Sequence, residues 1–399
     1  MHSNTRIPFV LQFIRSIQNG MFSLHQKAYS TEPETPISRP VVAYWYLFCA
    51  ALVFGIVILG GVTRLTESGL SIVEWNVIKG MKPPLNEHEW ELEFEKYKLF
   101  PEYQLLNHNI TIDEFKRIFY FEWAHRMLGR FIGLSFVLPG LYLAKKGYLT
   151  KSIKSRSLVV ATMIGIQGLF GWYMVKSGLS DDIVKNKDVP RVNHFWLSLH
   201  LGSAFVIYST MLFTGLQILK ENRLRLNPPK NAFISNPRFK IAAHIIATLI
   251  FVTAISGAWV AGLDAGLIYN EFPYMGTGLV PSDMWAYSTE SKQNPEPMSA
   301  FQNLIRNPSA VQFSHRLLAM TTFTAITGLW IFSRKTRLSR TSKLVTNLMM
   351  GVALCQVTLG ISTLIYLVPV PLAAAHQGGS LTLLSMAIWL MHTLKRLPK

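Results

Sequence analysis

Charged residues are scarce in this chain and cysteines are almost absent. Of its 399 residues, 50% are apolar and 15% are charged, whereas a soluble globular domain carries about 25% charged residues. This deficit argues against an ordinary soluble enzyme. Both cysteines, Cys49 and Cys355, fall inside apolar runs, so neither a disulfide scaffold nor a cysteine metal cluster is available. Any metal chemistry has to use other ligands.

Acidic residues are missing from the first 31 positions, which mix Arg6, Arg15 and Lys27 with Phe, Leu, Ile, Val, Ser and Gln. This composition is typical of a mitochondrial transit peptide, which we predict over residues 1–31. A disordered basic tail is the alternative. A secretory signal is not indicated, because no apolar run of the required length precedes Tyr44.

Long apolar runs dominate the rest of the chain, and eight of them reach the length of about 20 residues that a helix needs to cross a bilayer. They cover residues 41–62, 118–144, 157–175, 193–219, 241–263, 308–332, 344–368 and 371–394. The sequence therefore predicts an all-α integral membrane protein with eight transmembrane helices, whose surroundings are the lipid bilayer.

The net charge of +17 is distributed unevenly between the connectors. The connectors after the second, fourth and sixth runs are rich in Lys and Arg, whereas residues 63–117 and 264–307 contain more acids than bases. The positive-inside rule then places both termini in the matrix. Topology accounts for most of the positive charge, so a nucleic-acid partner is not expected.

An internal repeat relates the two halves of the chain. Four motifs recur in the same order: Glu122-Trp-Ala-His125-Arg126 and Gln312-Phe-Ser-His315-Arg316, Gln167 to Gly171 and Gln356 to Gly360, His200-Leu-Gly and His376-Gln-Gly, and Glu67-Ser-Gly and Asp264-Ala-Gly. A unit of four helices used twice is the simplest origin. We predict two tandem pseudo-symmetric four-helix bundles, at residues 41–220 and 241–395.

Four histidines, two in each repeat, lie at one depth. His125, His200, His315 and His376 each fall six to eight residues from the outer face, or about 9 to 12 Å at about 1.5 Å per residue. Two imidazoles that converge from facing helices suit the axial positions of a heme iron. Zinc is the weaker interpretation, because each bundle offers only two such ligands. His194, His244 and His392 lie near helix ends and are interpreted as structural.

The histidines have charged neighbours that differ between the repeats. Arg126 and Arg316 are predicted to hold heme propionates, with snorkelling to lipid headgroups as the alternative. Glu122 precedes His125 by three residues, but the matching position holds Gln312. We expect Glu122 to act in acid/base chemistry or in charge stabilisation, unless it only orients the histidine.

The first outer connector also carries candidate residues. Its segment from Arg64 to Trp75, including Glu67, lies at the mouth of the first site and is expected to position the substrate or to conduct protons, with an amphipathic cap as the alternative. The acids between 87 and 95 alternate with other residues and are interpreted as a solvated face.

These motifs together resemble the heme A synthase family, in its mitochondrial branch, over about residues 40–395. Further matching motifs are Gly60-Gly-Val-Thr-Arg64, Ala261-Gly-Leu-Asp264 and Tyr269-Asn-Glu-Phe-Pro273. The resemblance implies an inner-membrane enzyme that oxidises the C8 methyl of heme O to a formyl group, with O₂ and external electrons, and so supplies heme A for cytochrome c oxidase. It implies a retained heme b in the C-terminal bundle and the substrate heme O in the N-terminal bundle.

The same resemblance implies a matrix ferredoxin as electron donor and makes the farnesyltransferase that produces heme O a candidate partner. It leaves open whether the chain forms a homo-oligomer. Bacterial relatives often carry a cysteine pair in the first outer loop, but residues 63–117 contain no cysteine, so a thiol relay there is excluded.

Two other functional classes were weighed against this interpretation. A dihaem b-type electron-transfer protein would use both histidine pairs, but the difference between Glu122 and Gln312 favours an enzyme. A transporter with tandem repeats would need discontinuous helices near the midplane, and the runs contain few Gly or Pro breaks there.

Overall fold

The computed structural model describes residues 37–76, 78–179, 190–226, 236–285 and 299–394. In this part of the chain the secondary structure is helical, apart from a single bridge between Met275 and Gly278. The expected all-α class is thereby confirmed. The predicted transit peptide, residues 1–31, lies outside the described residues.

The described α-helices are numbered here in chain order. They are α1 (Pro40–Leu65), α2 (Glu87–Lys98), α3 (Pro101–Leu105), α4 (Ile112–Lys145), α5 (Lys151–Gly178), α6 (His194–Leu226), α7 (Pro237–Gly262), α8 (Ala300–Arg306), α9 (Pro308–Lys335), α10 (Arg340–Ile365) and α11 (Val370–Leu394). Two single turns of 3₁₀-helix, Lys79–Met81 and Ala265–Leu267, lie in the connectors.

Each of the eight predicted runs falls on a long helix, and most of these helices extend beyond the apolar run. They do so because polar residues stabilise the additional turns. Thr111 and Glu114 form a capping box at the start of α4, which begins six residues before the run. Asn236 and Ser339 accept hydrogen bonds from the first turns of α7 and α10.

Seven of these helices, α1, α4, α5, α6, α7, α9 and α10, are long and apolar enough to cross a membrane. Helix α11 occupies the eighth predicted run but is not among the seven. Its first half contains the polar sequence His376-Gln377-Gly-Gly-Ser, which lowers its mean hydropathy. The eighth span therefore stays a prediction.

Helix contacts fall into two sets. In the first set α1 contacts α4 and α6, and α5 contacts α4 and α6; in the second set α7 contacts α9 and α11, and α10 contacts α9 and α11. The two sets meet where α6 packs on α7, α1 on α11, and α6 on α11. Helices α1 and α6 are the most deeply buried of the seven, whereas α5 and α10 leave most of their surface exposed.

The repeat is visible in the backbone as well as in the sequence. Glu67 and Asp264, which the motifs align, both adopt a φ of 52°. This left-handed conformation is uncommon for residues other than glycine. Both residues follow the first long helix of their set, so the chain leaves α1 and α7 by the same unusual turn.

The acidic stretch after α1 differs from the period of two that its sequence suggests. It forms helix α2, in which Trp90, Phe94 and Tyr97 are buried at helical spacing. These rings pack on Phe115 and Phe119 of α4. The acids occupy the remaining faces, so the prediction of a solvated face is correct for Glu87, Glu91 and Glu95, which are exposed.

Candidate heme-binding site

Each of the four histidines at the predicted depth lies against a glycine of a neighbouring helix. A Cβ atom placed on Gly60 of α1 would lie 2.8 Å from Cε1 of His125 on α4, and one on Gly257 of α7 would lie 3.2 Å from Cε1 of His315 on α9. In the second half of each set, Gly171 of α5 faces His200, and Gly360 of α10 faces His376. The same arrangement thus occurs four times.

These glycines have a steric purpose, because a side chain at three of the four positions would push the imidazole away. The contact is tightest at Gly60 and Gly360, where the added Cβ would approach to 2.8 Å, and it is loosest at Gly171, at 3.8 Å. Close approach of a backbone is a common reason for glycine inside a helix. The sequence contains these glycines, but only the helix packing shows which histidine ring lies against each of them.

The half-buried imidazoles have unused hydrogen-bonding capacity. Nδ1 of His125, His200 and His376 is buried and has no hydrogen-bond partner among the described residues. Nδ1 of His315 is the exception, since a hydrogen bond of 2.7 Å joins it to Oγ of Ser256. Buried polar atoms are normally satisfied. Histidines left in this state suit a ligand that binds the ring itself.

The four rings form two pairs, one in each helix set. His125 and His200 lie on α4 and α6 of the first set, and His315 and His376 lie on α9 and α11 of the second. Both pairs join the second and fourth long helices of a set. A planar group between two facing imidazoles would satisfy both histidines.

Glu122 is buried beside His125, with 3% of its surface exposed. Its Oε1 accepts hydrogen bonds from Nε and Nη2 of Arg126, at 3.0 and 2.6 Å. Its Oε2 accepts from Oγ of Ser71 and from the backbone N–H of Ile72, both at 2.8 Å. The carboxylate therefore receives four donors and is paired with a cation.

Arg126 completes a clamp on the same outer segment. Besides Glu122, its guanidinium donates to the carbonyl oxygens of Ile72 and Glu74, at 2.8 and 3.0 Å. The indole of Trp75 lies 4.7 Å from the guanidinium carbon and reaches Gly171, beside His200. Residues 71–75 therefore form a roof over the first histidine pair.

The second pair has the same clamp without the carboxylate. Arg316 donates to the carbonyl oxygens of Tyr269 and Tyr274, at 2.9 and 3.1 Å, and Gln312 donates to Tyr269 at 2.9 Å. Nε of Arg316 and Oε1 of Gln312 are buried without a hydrogen-bond partner in the described part of the chain. Replacement of the acid by the amide thus leaves the arginine without an ion pair.

Arg64 and Glu67 do not act together. Arg64 forms an ion pair of 2.6 Å with Asp264, which follows α7, and Arg191 contacts the other carboxylate oxygen of Asp264 at 3.1 Å. Nε of Arg64 is buried and has no hydrogen-bond partner among the residues that the structure describes, whereas Glu67 is exposed at the turn after α1. Asp264 therefore links the outer ends of the two helix sets.

Glu102 is a buried acid that sequence reasoning did not single out. It lies in α3, outside the long helices, and is 3% exposed. Burial raises the pKa of Glu102 to about 8, although the hydroxyl of Tyr97, which donates to Oε2 at 3.0 Å, lowers it, and the negative charges of Glu122 and Glu67 raise it. No local pattern marks Glu102, because its burial results from the packing of α2 on α4.

Comparison with known proteins gives consistent matches over most of the chain. A model of cytochrome oxidase assembly proteins, the COX15-CtaA family, matches residues 43–388. The chain is 49% identical to "Heme A synthase COX15" of Bos taurus over 391 residues, which are 96% of this chain and 91% of that protein.

Two fungal relatives extend this similarity. "Heme A synthase COX15" of Saccharomyces cerevisiae is 41% identical over 94% of this chain and 79% of its own length. A "Heme A synthase-mitochondrial ferredoxin fusion protein" of Schizosaccharomyces pombe is 44% identical over 88% of this chain and 60% of its own length.

Proposed function

The chain belongs to the COX15-CtaA family of cytochrome oxidase assembly proteins, and from this premise we propose that it is a heme A synthase of the mitochondrial inner membrane. In this proposal it oxidises the C8 methyl of heme O to a formyl group. The observation that carries the proposal is that a half-buried histidine lies against a glycine four times, twice in each helix set. A dihaem electron carrier is less favoured, because the relatives are named as synthases.

The two helix sets are proposed to be pseudo-symmetric four-helix bundles, at residues 41–220 and 241–395, with α11 as the eighth span. The matching contacts within each set and the shared turn at Glu67 and Asp264 support this arrangement. Each bundle then provides one heme site from side chains on facing helices.

In the C-terminal bundle, His315 and His376 would hold a retained heme b, and in the N-terminal bundle His125 and His200 would bind the substrate heme O. The residues fit such a group, because the rings are half-buried, occur two to each helix set and lie against glycines. Heme supplies redox and oxygen chemistry when bound. The chain supplies ligands, orientation and exclusion of water.

Arg316 is the better candidate of the two arginines for a propionate. It has a buried Nε without a hydrogen-bond partner, and Gln312 next to it carries no charge. Arg126 is already paired with Glu122, so its proposed contact with a propionate competes with that ion pair. Arg64 has an unpartnered Nε as well, whereas Glu67 is proposed only to line the mouth of the N-terminal site.

For Glu122 we favour charge stabilisation over proton transfer. Its four hydrogen-bond donors fix the position of the carboxylate. A fixed negative charge beside the substrate stabilises positive charge that develops on the reacting carbon. The same hydrogen bonds hold residues 71–75 as a roof, which excludes water from the methyl group.

A ferredoxin is proposed as the electron donor, which the fused ferredoxin of the relative in Schizosaccharomyces pombe supports. Its access from the matrix agrees with the proposed topology, in which both termini face the matrix. Cysteines introduced at the exposed residues Asn109 and Ser152 test this topology. In mitochondria with a ruptured outer membrane, an impermeant thiol reagent is expected to label Asn109→Cys and not Ser152→Cys; the reverse result would invert the topology.

Analysis of extracted hemes tests the reaction itself. Cells that lack this protein are expected to accumulate heme O, and expression of the chain should convert it to heme A, as measured by mass spectrometry. Expression of His125→Ala serves as the matched control and should leave heme O unconverted. Equal amounts of heme A with and without the chain would contradict the proposed function.

A further inference from the structure

Gln377 joins the two helix sets directly beside a proposed heme ligand. It follows His376 on α11, and its Nε2 donates a hydrogen bond of 2.8 Å to the carbonyl oxygen of Val57 on α1. A Cβ atom on Gly61, one turn further along α1, would overlap the amide oxygen of Gln377. The amide therefore lies flat against one turn of α1, and the absence of a side chain at Gly61 permits this approach.

The same turn of α1 also lies against His125, a proposed ligand of the N-terminal site. Gly60 precedes Gly61, and its Cα lies against the ring of His125. A short series of contacts thus leads from His376 through Gln377 and one helical turn to His125. This contact between the two sets therefore reaches a proposed ligand on both sides.

The repeat shows that this bridge is not a general feature of the interface. At the equivalent contact, between α6 and α7, Gly202 faces Ile255 as Gly378 faces Ile58, so the backbones approach in the same way. The position that matches Gln377 is Leu201, which follows His200 and has no hydrogen-bonding group. That interface is joined instead by a hydrogen bond of 2.9 Å from Nε1 of Trp259 to Oγ of Ser198.

An amide inside a membrane protein needs a reason, because leucine at the same place packs the equivalent interface. Interhelical hydrogen bonds of this kind stabilise helix pairs modestly. If the amide only stabilised the packing of α11 on α1, it would not need to follow a proposed ligand histidine directly. A hydrogen bond at that position also fixes the rotation and the height of α11 relative to α1.

We propose that Gln377 is a positioning residue that holds the two heme sites in a fixed relative geometry, by anchoring the turn of α11 that carries His376 to the turn of α1 that supports His125. This inference rests on the proposed function, since it assumes one heme in each bundle. The geometry matters for the transfer of electrons between the sites. If each bundle held a heme, the heme held by His315 and His376 would give up one electron and be oxidised by it, and the heme held by His125 and His200 would accept that electron and be reduced. The ferredoxin-type donor would then reduce the first of these hemes again.

The substitution Gln377→Leu tests the proposal, because it installs the residue that the repeat itself uses. Gly61→Ala reaches the same contact from the opposite helix and leaves Gln377 in place. The purified holoenzyme, loaded with heme O, is examined by pulsed EPR for the distance between the two ferric irons. Transient absorption gives the rate of electron transfer between them.

Both variants are expected to keep the visible spectrum of heme b, to broaden the iron-to-iron distance distribution and to slow the electron transfer measurably, since the rate of electron transfer depends on the distance between the irons. Ser385→Ala is the matched control. It removes another hydrogen bond between the sets, the bond of 2.7 Å between Tyr208 and Ser385. Neither residue lies in a helical turn that carries a proposed heme ligand. This variant should therefore leave both measurements unchanged.

Wild-type distances and transfer rates in both Gln377→Leu and Gly61→Ala would overturn the proposal. A lower thermal stability with unchanged distances would also overturn it, because it would reduce Gln377 to a packing contact. If Gln377→Leu loses heme b, Gly61→Ala decides between the outcomes. A failure of the proposed function is recognised separately, since wild-type enzyme would then form no heme A.

Discussion

The two histidine sites differ less in their ligands than in what covers them. Both pairs have glycine behind the rings and an arginine that holds the carbonyl oxygens of an outer segment. In the first site this arginine, Arg126, forms an ion pair with Glu122. The carboxylate of Glu122 also accepts hydrogen bonds from Oγ of Ser71 and from the backbone N–H of Ile72. In the second site Gln312 keeps the shape of the acid and leaves Arg316 charged and partly unpartnered.

This difference suggests how one bundle can be used twice for different purposes. An arginine that has no adjacent carboxylate on its own helix suits the permanent capture of an acidic ligand such as a heme propionate. A neutralised pair that closes a roof over the site suits a ligand that has to be held, changed and released. The repeat thus supplies an internal control for every residue that distinguishes the two sites.

The broadest test of the comparison removes a proposed ligand from one site only. His376→Ala should abolish the heme b absorption of the purified protein, because one axial ligand of that site is lost. His244→Ala should retain it, since His244 lies elsewhere on α7 and its Nδ1 is hydrogen-bonded to the carbonyl oxygen of Lys240 at 2.7 Å. Visible spectra of both variants provide the measurement. Loss of the heme signal in His244→Ala alone would refute the assignment of the ligands.

Glu122→Gln makes the first site resemble the second. The amide is nearly isosteric, so the roof and His125 should remain in place, but the fixed negative charge is removed. We expect heme A formation to fall by about a hundredfold, as when a single electrostatic group is removed from an active site. The ratio of heme O to heme A in extracts measures the effect.

The reverse variant, Gln312→Glu, should weaken the retention of heme b, because the new carboxylate would compete with a propionate for Arg316. Wild-type amounts of heme A from Glu122→Gln would reduce Glu122 to a structural carboxylate. Loss of all heme from that variant would instead indicate that Glu122 orients His125.

Glu102 is expected to make the local stability of residues 97–107 depend on pH, in contrast to the segment at Ala265–Leu267. Folding raises the pKa of this carboxyl from its ordinary value of 4.5 to about 8, mainly by burial. Its neutral form therefore favours the folded state fully below about pH 4.5, and this support is lost as the pH rises through about 8. Amide hydrogen exchange in residues 97–107, corrected for its intrinsic pH dependence, should become faster over this range.

Glu102→Gln should remove this pH dependence, because the amide does not ionise. The segment at Ala265–Leu267, near the second site, serves as the internal reference and should show no comparable change. If the wild type and Glu102→Gln respond identically, the raised pKa of Glu102 does not govern the stability of this segment.

The smallest effect is expected where the two sites are joined by charge. Asp264→Asn removes the ion pairs with Arg64 and Arg191, but the carboxylate is 39% exposed, and solvent screening limits such pairs to about 1 kcal/mol or less. The thermal unfolding temperature should fall slightly, without loss of heme b. A large loss of stability would show that this ion pair carries more of the contact between the helix sets than its exposure suggests.

The sequence predicted the long helices and the depth of the histidines because both depend on local patterns. Apolar runs locate helices that lie in lipid, and spacing along a helix sets depth. The helix at residues 87–98 was missed because the alternating acids obscure the spacing of Trp90, Phe94 and Tyr97. Those rings are informative only together with Phe115 and Phe119, to which they pack.

The contacts of the charged residues were beyond local patterns. Glu122 is bonded to Ser71, 51 residues earlier, and Arg64 to Asp264, 200 residues later. The repeat indicated that Glu67 and Asp264 are equivalent, and both residues have the same left-handed backbone conformation. It could not indicate that only Asp264 would bind Arg64, because that contact joins the two repeats and belongs to neither.

The packing of α1 on α11 has a consequence for biosynthesis. Chains fold from the N-terminus as they are made, and α1 precedes α11 by more than 300 residues. The groove at Gly61 and the carbonyl oxygen of Val57 therefore have no contact with Gln377 until the intervening helices have been synthesised. A chain truncated before α11 therefore leaves α1 incompletely covered, because α11 completes the packing of α1.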